Sequence, residues 1–408
     1  VQGRTIRSEG NPGRKSVSQQ TKAAGLRITR LQLENWKNFQ SLDLHFQQRV
    51  FLVGPNASGK SNLLDALRFL RDLATVGGGF QAAVQKRGGL KSIRCLAARR
   101  TPEVALAIEI GTDEEPNRWH YELRFNQGLA GGAAVEEVTK ERVLRGDQVL
   151  LDRPSAEDKR DFARRSQTHL EQVTANLKFR EIADFLNSIR YLHIVPQILR
   201  EPERSPNRDK DPFGGDLLQQ IALTRTNTQK ARLRKIAKAL QVAVPQLREL
   251  ELWRDSRGAP HLRGKYEHWR PQGAWQTEEQ LSDGTLRLLG LLWAILEGKG
   301  PLLLEEPELS LHPFVVRHLP QIFARMQKGN GRQVLLSTHS AEILQDEGIG
   351  LDEVMVLSPS REGTQVRPGA GIDGTRDLLE GGLENVGEAV FALTQPNRSF
   401  LLSSFEAH

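Results

Sequence analysis

Residues 54–61, Gly54-Pro55-Asn56-Ala57-Ser58-Gly59-Lys60-Ser61, set two glycines five apart immediately ahead of a lysine and a hydroxyl. That spacing suits phosphate chemistry. The glycines let the backbone curl until its N–H groups converge on phosphate oxygens. Lys60 then reaches the β- and γ-phosphates as a point charge, and the Ser61 hydroxyl ligates Mg²⁺. Upstream, Val50-Phe51-Leu52-Val53 is wholly apolar, as a buried strand should be. Downstream of Asn62, Leu63, Leu67, Leu70 and Ala74 recur at helical spacing. Strand, glycine loop and helix together form a nucleotide cradle, and the helix aims the positive end of its dipole at the bound anion.

Hydrolysis needs a second metal contact and a base for water. Leu302-Leu303-Leu304-Glu305-Glu306 offers both at the end of an apolar run. Ligands collect at the carboxyl ends of parallel strands. Glu305 is therefore expected to hold Mg²⁺, directly or through water, and Glu306 to orient or deprotonate the attacking water. Ser337-Thr338-His339-Ser340 closes the next strand, where His339 could sense the γ-phosphate. In Leu281-Ser282-Asp283-Gly284-Thr285, Ser282 or Asp283 caps a helix whose apolar residues begin at Leu286. An anion site and an ordinary helix start both fit that segment.

These residues need a scaffold, and the patterning divides the chain into four parts. Residues 1–25 are polar and basic and read as a disordered tail. Residues 26–151 hold the phosphate loop and an antiparallel β subdomain. Its hairpins are expected at Leu26–Phe46, turning near Asn35–Ser41, at Val104–Ile110 with Trp119–Phe125, and at Val135–Leu151, turning at Gly146-Asp147. Residues 152–280 read as a helical insertion. Phe179, Ile182, Leu186 and Ile189 share one face, as do Leu233, Ile236, Ala237 and Leu240, and Arg200–Gly215 forms a loop between them. Residues 281–408 alternate helix and strand, with strands at Leu302–Leu304, Val334–Leu336 and Val354–Leu357. A helix at Phe314–Met326 should be kinked by Pro320.

The formal net charge of +7 over 408 residues favours an acidic partner, with nucleic acid the first candidate, and equally fits ordinary solubility. Lys230, Arg232, Arg234, Lys235 and Lys238 on one helix, or Lys86, Arg87, Lys91, Arg94, Arg99 and Arg100, could meet DNA phosphates or form solvated faces. The single cysteine, Cys95, leaves no partner for an internal disulfide and fits a reducing cytoplasm. The richest apolar stretch, Leu286–Leu296, is too short to span a bilayer, so no membrane partner is expected.

In this order the pieces resemble the ABC-type ATPases, specifically the RecF/SMC-like branch with its OLD-type relatives. Asn56 in the loop and the opening hairpin suit that branch, and Leu281–Thr285 is similar to the family's signature loop. Glu305-Glu306-Pro307-Glu308 matches its acidic pair, Leu311-His312-Pro313 its D-loop and His339 its switch histidine. The resemblance implies an α/β ATPase head with a mixed sheet, using ATP and Mg²⁺, with Glu306 and His339 catalytic. Gly54, Asn56, Ala57, Ser58, Gly59, Lys60, Ser61 and Asn62 would bind nucleotide, and Ser61 and Glu305 the metal. It also implies a head-to-tail homodimer or higher even oligomer in which Ser282 and Gly284 act in trans on the partner's nucleotide. The signature reads Ser-Asp-Gly-Thr instead of Ser-Gly-Gly-Gln, Glu305 replaces the commoner Asp, and His312 stands where transporters carry Asp. Gln81 and Gln85 are candidates for the Q-loop glutamine. Such proteins resemble ATPase subunits of DNA-repair or anti-phage systems. Few residues follow His339 and Leu357–His408 has no Asp-x-Asp cluster, so any nuclease or effector is expected as a separate subunit. An ATP-gated scaffold that holds an effector without touching DNA is the alternative.

Overall fold

The computed structural model describes residues 25–98, 102–130, 133–201, 211–269, 274–372 and 385–394. The expected tail, Arg99, Arg100 and most of the Arg200–Gly215 loop lie outside the described residues.

Alternating apolar residues in the first part build an antiparallel sheet. β1 (Arg27–Trp36) and β2 (Phe39–His45) form the opening hairpin, and β3 (Arg49–Val53) leads into the phosphate loop and helix α1 (Lys60–Ala74). Two short helices, α2 (Phe80–Gln85) and α3 (Leu90–Ile93), follow. The strands β4 (Val104–Gly111), β5 (Trp119–Ala130), β6 (Ala133–Arg145) and β7 (Gln148–Arg153) complete a six-stranded sheet of order β2-β1-β4-β5-β6-β7. The three expected hairpins are all present.

Among its described residues the segment 152–280 carries helices and also four strands, which corrects the expectation of a helical insertion. Its helices are α4 (Ala156–Arg160), α5 (Arg180–Asn187), α6 (Pro196–Arg200), α7 (Leu217–Leu223) and α8 (Thr226–Leu240). Strand β8 (Arg190–Leu192) joins the central parallel sheet beside a later strand. β9 (Leu247–Arg254), β10 (Pro260–Tyr266) and β11 (Ala274–Thr277) form a separate antiparallel sheet. Three residues are too few to display a period, so β8 is invisible in the pattern. In β9, Glu249 and Glu251 alternate with Leu250 and Leu252, which is the period-two signal of a strand.

The last part runs α9 (Asp283–Leu296), β12 (Leu302–Glu305), α10 (Pro313–Val316), α11 (Leu319–Asn330), β13 (Val334–Thr338), β14 (Val354–Ser360) and β15 (Gly363–Pro368). The last described helix spans Val386–Thr394. The expected kinked helix is two helices. Pro320 sits in the first turn of α11, where a missing N–H costs no helical hydrogen bond.

The central sheet has the order β15-β14-β3-β13-β12-β8, parallel except at β15. Its central strands β3 and β13 are buried on both faces. Val50, Leu52, Leu303 and Leu335 point into a core shared with α1 and the antiparallel sheet, where Phe69 packs against Trp36 and Phe125 at centroid distances of 5.3 and 5.6 Å. Phe51, Val53, Leu304 and Leu336 point the other way, into a core closed by α8, α9 and α11. The fold is therefore α/β, with a mixed sheet between a β subdomain and a helical layer.

A buried ionic network fastens the residues after β7 to the antiparallel sheet. Arg153 donates to Glu141 at 2.9 Å and to both oxygens of Asp158 at 3.0 Å, and all three side chains are almost fully buried. Glu141 also accepts from the backbone of His169 and Leu170 at 2.7 and 3.0 Å and from the Tyr121 hydroxyl at 3.2 Å. Removing the guanidinium takes the cation from buried Glu141 and leaves buried Asp158 with Arg164 as its cationic partner. Arg153→Ala should cost about 3–5 kcal/mol, read as a lower urea midpoint. A loss below about 1 kcal/mol would mean that water replaces the missing cation.

Candidate functional site

Strand register brings the site together. Glu305 of β12 lies opposite Ser337 of β13, and Thr338 lies opposite Val53 of β3. The three strands therefore end in one row, at Glu305-Glu306, Thr338-His339 and Gly54.

The phosphate loop is braced from the first hairpin. Asn38 Nδ2 donates to the Ser58 carbonyl at 3.2 Å and to Thr364 Oγ1 at 2.6 Å, and Thr364 Oγ1 donates to the same Ser58 carbonyl at 2.8 Å. Asn62 Nδ2 donates to Asn38 Oδ1 at 2.8 Å. Gly59 has φ 96°, and a Cβ there would fall 1.9 Å from Asn38 Nδ2, so both conformation and space require glycine. Ala57, at φ 61°, also takes the left-handed region. Lys60 is buried and folds back on the loop, its Nζ donating to the carbonyls of Gly54 and Pro55 at 2.9 and 3.0 Å. Burial pushes its pKa down to about 8, against the attraction of Glu306, Glu305 and Glu308.

Ser61 Oγ donates to Glu305 Oε1. The Tyr191 hydroxyl of β8 donates to the other carboxylate oxygen, and His193 Nδ1 lies 3.2 Å from the Glu305 carbonyl. A serine hydroxyl beside a carboxylate is an oxygen-only donor set, which fits a hard cation such as Mg²⁺ that keeps most of its waters. Among the described residues no group of three or more His, Cys, Asp or Glu side chains could hold a metal.

Glu306 adopts φ 45°, a strained conformation for a non-glycine residue that costs of order 1–3 kcal/mol. Its N–H donates to the Ser337 carbonyl at 3.0 Å, and its Oε1 lies 3.1 Å from His339 Nε2. Burial and then the Lys60 charge hold the His339 pKa below its ordinary value, while Glu306 opposes them. Glu308 is buried behind this pair. It accepts from Thr338 Oγ1 at 2.6 Å and from the His339 backbone at 3.0 Å, and its second oxygen has no partner. Burial raises its pKa.

Ser282 caps α9, its Oγ accepting from the Thr285 backbone at 3.2 Å. Arg200 holds Asp283 at 2.6 Å. A Cβ on Gly284 would lie 2.5 Å from the Ser310 carbonyl, so the signature packs against the loop after the acidic pair. One turn on, Arg287 is buried with Nε and Nη1 unpartnered. Burial lowers its pKa against the opposing charges of Asp283, Glu306 and Glu308. His312 Nδ1 caps α10, accepting from the Phe314 backbone at 3.2 Å.

Asn38, Tyr191, His193, Arg287 and Thr364 were not singled out by sequence reasoning, and Glu308 entered only as the end of the acidic motif. Asn38 sits in a hairpin turn and Thr364 far along the chain, so no local spacing relates them to the loop. Gln81, a Q-loop candidate, spends its side chain on the carbonyls of Glu136 and Ser166 at 2.9 and 3.1 Å, and Gln85 is exposed at the end of α2. Two members of the second basic group, Lys86 and Arg87, are paired with carboxylates, whereas Lys91 is exposed. Arg87 is buried between Asp65 and Asp72 at 2.9 and 3.1 Å, and Lys86 lies 3.5 Å from Asp72. On α8, Lys230, Arg234, Lys235 and Lys238 are exposed.

Residues 49–345 match the family described as "AAA domain, putative AbiEii toxin, Type IV TA system". The chain belongs to this family. Its phosphate loop, strand-end carboxylates and capped signature helix agree with the resemblance to the RecF/SMC-like ABC ATPases. It is similar to the DNA replication and repair protein RecF of Pasteurella multocida (strain Pm70), 32% identical over 115 residues, 28% of this chain and 27% of RecF. It is also similar to RecF of Bacillus mycoides (strain KBAB4), 43% identical over 44 residues, 10% of this chain and 12% of that protein. The chain thus spans about a quarter or less of the curated relatives it matches. Among solved structures it is similar to an Smc head bound to the C-winged helix domain of ScpA. The TM-score is 0.52 and the identity 13%, covering 83% of this chain and 97% of that one, a likeness of fold. No described helix is long and apolar enough to cross a membrane.

Glu308 supplies a test of the site's construction. Glu308→Ala frees the Thr338 hydroxyl and the His339 N–H inside the protein and should cost about 1–3 kcal/mol. Glu308→Gln keeps an acceptor for both and should stay within about 1 kcal/mol of the parent in chemical denaturation. Equal losses in the two variants would show that the bonds do not hold the strand end.

Proposed function

We propose that the protein binds ATP with Mg²⁺ and hydrolyses it in a head-to-tail dimer. It would serve as the ATPase or sensor subunit of a DNA-repair or anti-phage complex with a separate nuclease or effector. The observation that carries this reading is the Ser61–Glu305 hydrogen bond, which joins the phosphate loop to the acidic strand end.

In this reading Gly54, Asn56, Ala57, Ser58, Gly59 and Asn62 shape the cradle. Lys60 leaves the Gly54 and Pro55 carbonyls for the phosphates. Ser61 and Glu305 would hold Mg²⁺, which when bound neutralises charge on the β- and γ-phosphates. Tyr191 fixes the second oxygen of Glu305. Glu306 takes the proton of the attacking water. His339, kept neutral by burial and by Lys60, steers the Glu306 carboxylate and meets the γ-phosphate. Ser282 and Gly284 act on the nucleotide of the second copy, so that γ-phosphate joins the dimer and its loss releases it.

Three measurements test the reading. Lys60→Ala should abolish nucleotide binding, whereas Glu306→Gln should retain ATP and accumulate a dimer in sizing experiments. Glu306→Gln turnover at the parent rate would remove Glu306 from the role of base.

The second follows from the pKa of Lys60. Below pH 8 the empty protein already carries the charge. Above it, Lys60 is neutral until phosphate restores its proton, so binding takes up a proton. ATP affinity should therefore fall with rising pH, approaching tenfold per unit, about 1.4 kcal/mol. A flat affinity between about pH 7 and 9 would mean that Lys60 is already fully protonated in the empty protein, and that burial does not lower its pKa into this range.

The third is the ATPase rate with and without duplex DNA at two salt concentrations. Stimulation that fades with salt supports a DNA-sensing engine. A rate indifferent to DNA favours an ATP-gated scaffold for the effector.

A further inference from the structure

Helices α8, α9 and α11 enclose an open groove of about 440 Å³ on the helical face of the protein. Its floor is apolar: Ile236 from α8, Leu292 and Ile295 from α9, and Ile322 and Met326 from α11. Lys235 and Arg325 stand exposed at its two sides. The walls are one-sided in charge. Thr226–Leu240 carries Lys230, Arg232, Arg234, Lys235 and Lys238, Leu319–Asn330 carries Arg325 and Lys328, and neither helix contains an acidic residue. Nothing within either helix offsets this repulsion.

We propose that this groove is the docking site for an acidic amphipathic helix of the separate effector subunit. The inference rests on the proposed reading of the chain as the ATPase of a two-component complex. An apolar floor between cationic rims is the complement of a helix with apolar anchors at i, i+4 and i+7 and carboxylates beside them. Nucleic acid would satisfy the rims and leave the floor wet, since its phosphate backbone offers no apolar ridge. The groove also shares a rigid element with the nucleotide site. Its α9 residues form the C-terminal half of the helix that Ser282 caps, so the occupant and the signature loop bear on one helix.

Gly329 provides a clean probe. It lines the groove on α11, and a Cβ added there meets nothing within 4 Å, so a larger side chain can be placed at the groove's edge with no clash at its Cβ. The ligand is a fluorescein-labelled helical peptide with Leu at i, i+4 and i+7 and Glu on its other faces. A second peptide carries the same leucines with Lys in place of Glu. The full chain should bind the acidic peptide in the micromolar range, on the order of 10 μM or tighter at low salt, and the basic peptide at least about tenfold more weakly. Gly329→Trp should weaken acidic-peptide binding by about tenfold or more with unchanged melting temperature and ATP binding. The double charge reversal K235E/R325E, which alters only exposed side chains, should do the same.

The proposal is overturned if the parent protein does not bind the acidic peptide, if both peptides bind alike, or if neither variant weakens binding. It is also overturned if short duplex DNA displaces the peptide and loses affinity in Gly329→Trp, which assigns the groove to nucleic acid. ATPase activity measured on the same preparations separates the two readings. Peptide binding without any hydrolysis leaves the groove and removes the engine. Hydrolysis without peptide binding does the reverse.

Discussion

Glu305 lies opposite Ser337 and Thr338 opposite Val53 because β12, β13 and β3 run parallel and in register, and the polar groups of the site hang from those strand ends. The register is held by apolar burial on both faces. Val50, Leu52, Leu303 and Leu335 pack to one side, and Phe51, Val53, Leu304 and Leu336 to the other. A slip of one residue would exchange the two sets and pull the carboxylates away from the loop. Neither core can relax alone, since the same strands serve both.

Charge is arranged around that row with little waste. Lys60 is attracted by three carboxylates, Glu306, Glu305 and Glu308, and its burial leaves it less firmly protonated than a surface lysine. Glu306 bears the backbone strain, and His339 and Ser337 secure it. Glu308 spends one oxygen on Thr338 and His339, so a buried carboxylate holds the strand end that presents the histidine. Arg287 approaches from α9 with unpaired nitrogens, tying the signature helix electrostatically to the acidic strand. The site is thus assembled from both cores: Asn38 and Thr364 brace the loop from one side, and α9 closes it from the other.

Much of this was legible in the chain. The phosphate loop, the acidic pair, the signature cap and the three hairpins are local patterns, in which residues near in sequence must be near in space. The β8 strand was not, because three residues cannot show a period, yet it delivers Tyr191 to Glu305. Pro320 reads as a kink in one helix. It begins a second helix instead, because a proline in a first turn removes no hydrogen bond. The basic residues near position 90 read equally as a phosphate-binding or a solvated face, but Asp65 and Asp72 on α1 neutralise Arg87.

The order of residues along the chain is enough to mark the glycine loop and the strands that bear the carboxylates, since each depends on spacings shorter than a helix. Tertiary structure decides the rest. It brings Asn38 and Thr364 together across 326 positions of sequence, turns Arg87 inward, and sets α8, α9 and α11 around an apolar groove. Those relations arise from the packing of distant elements against a shared sheet, and no local spacing records which face a side chain will find.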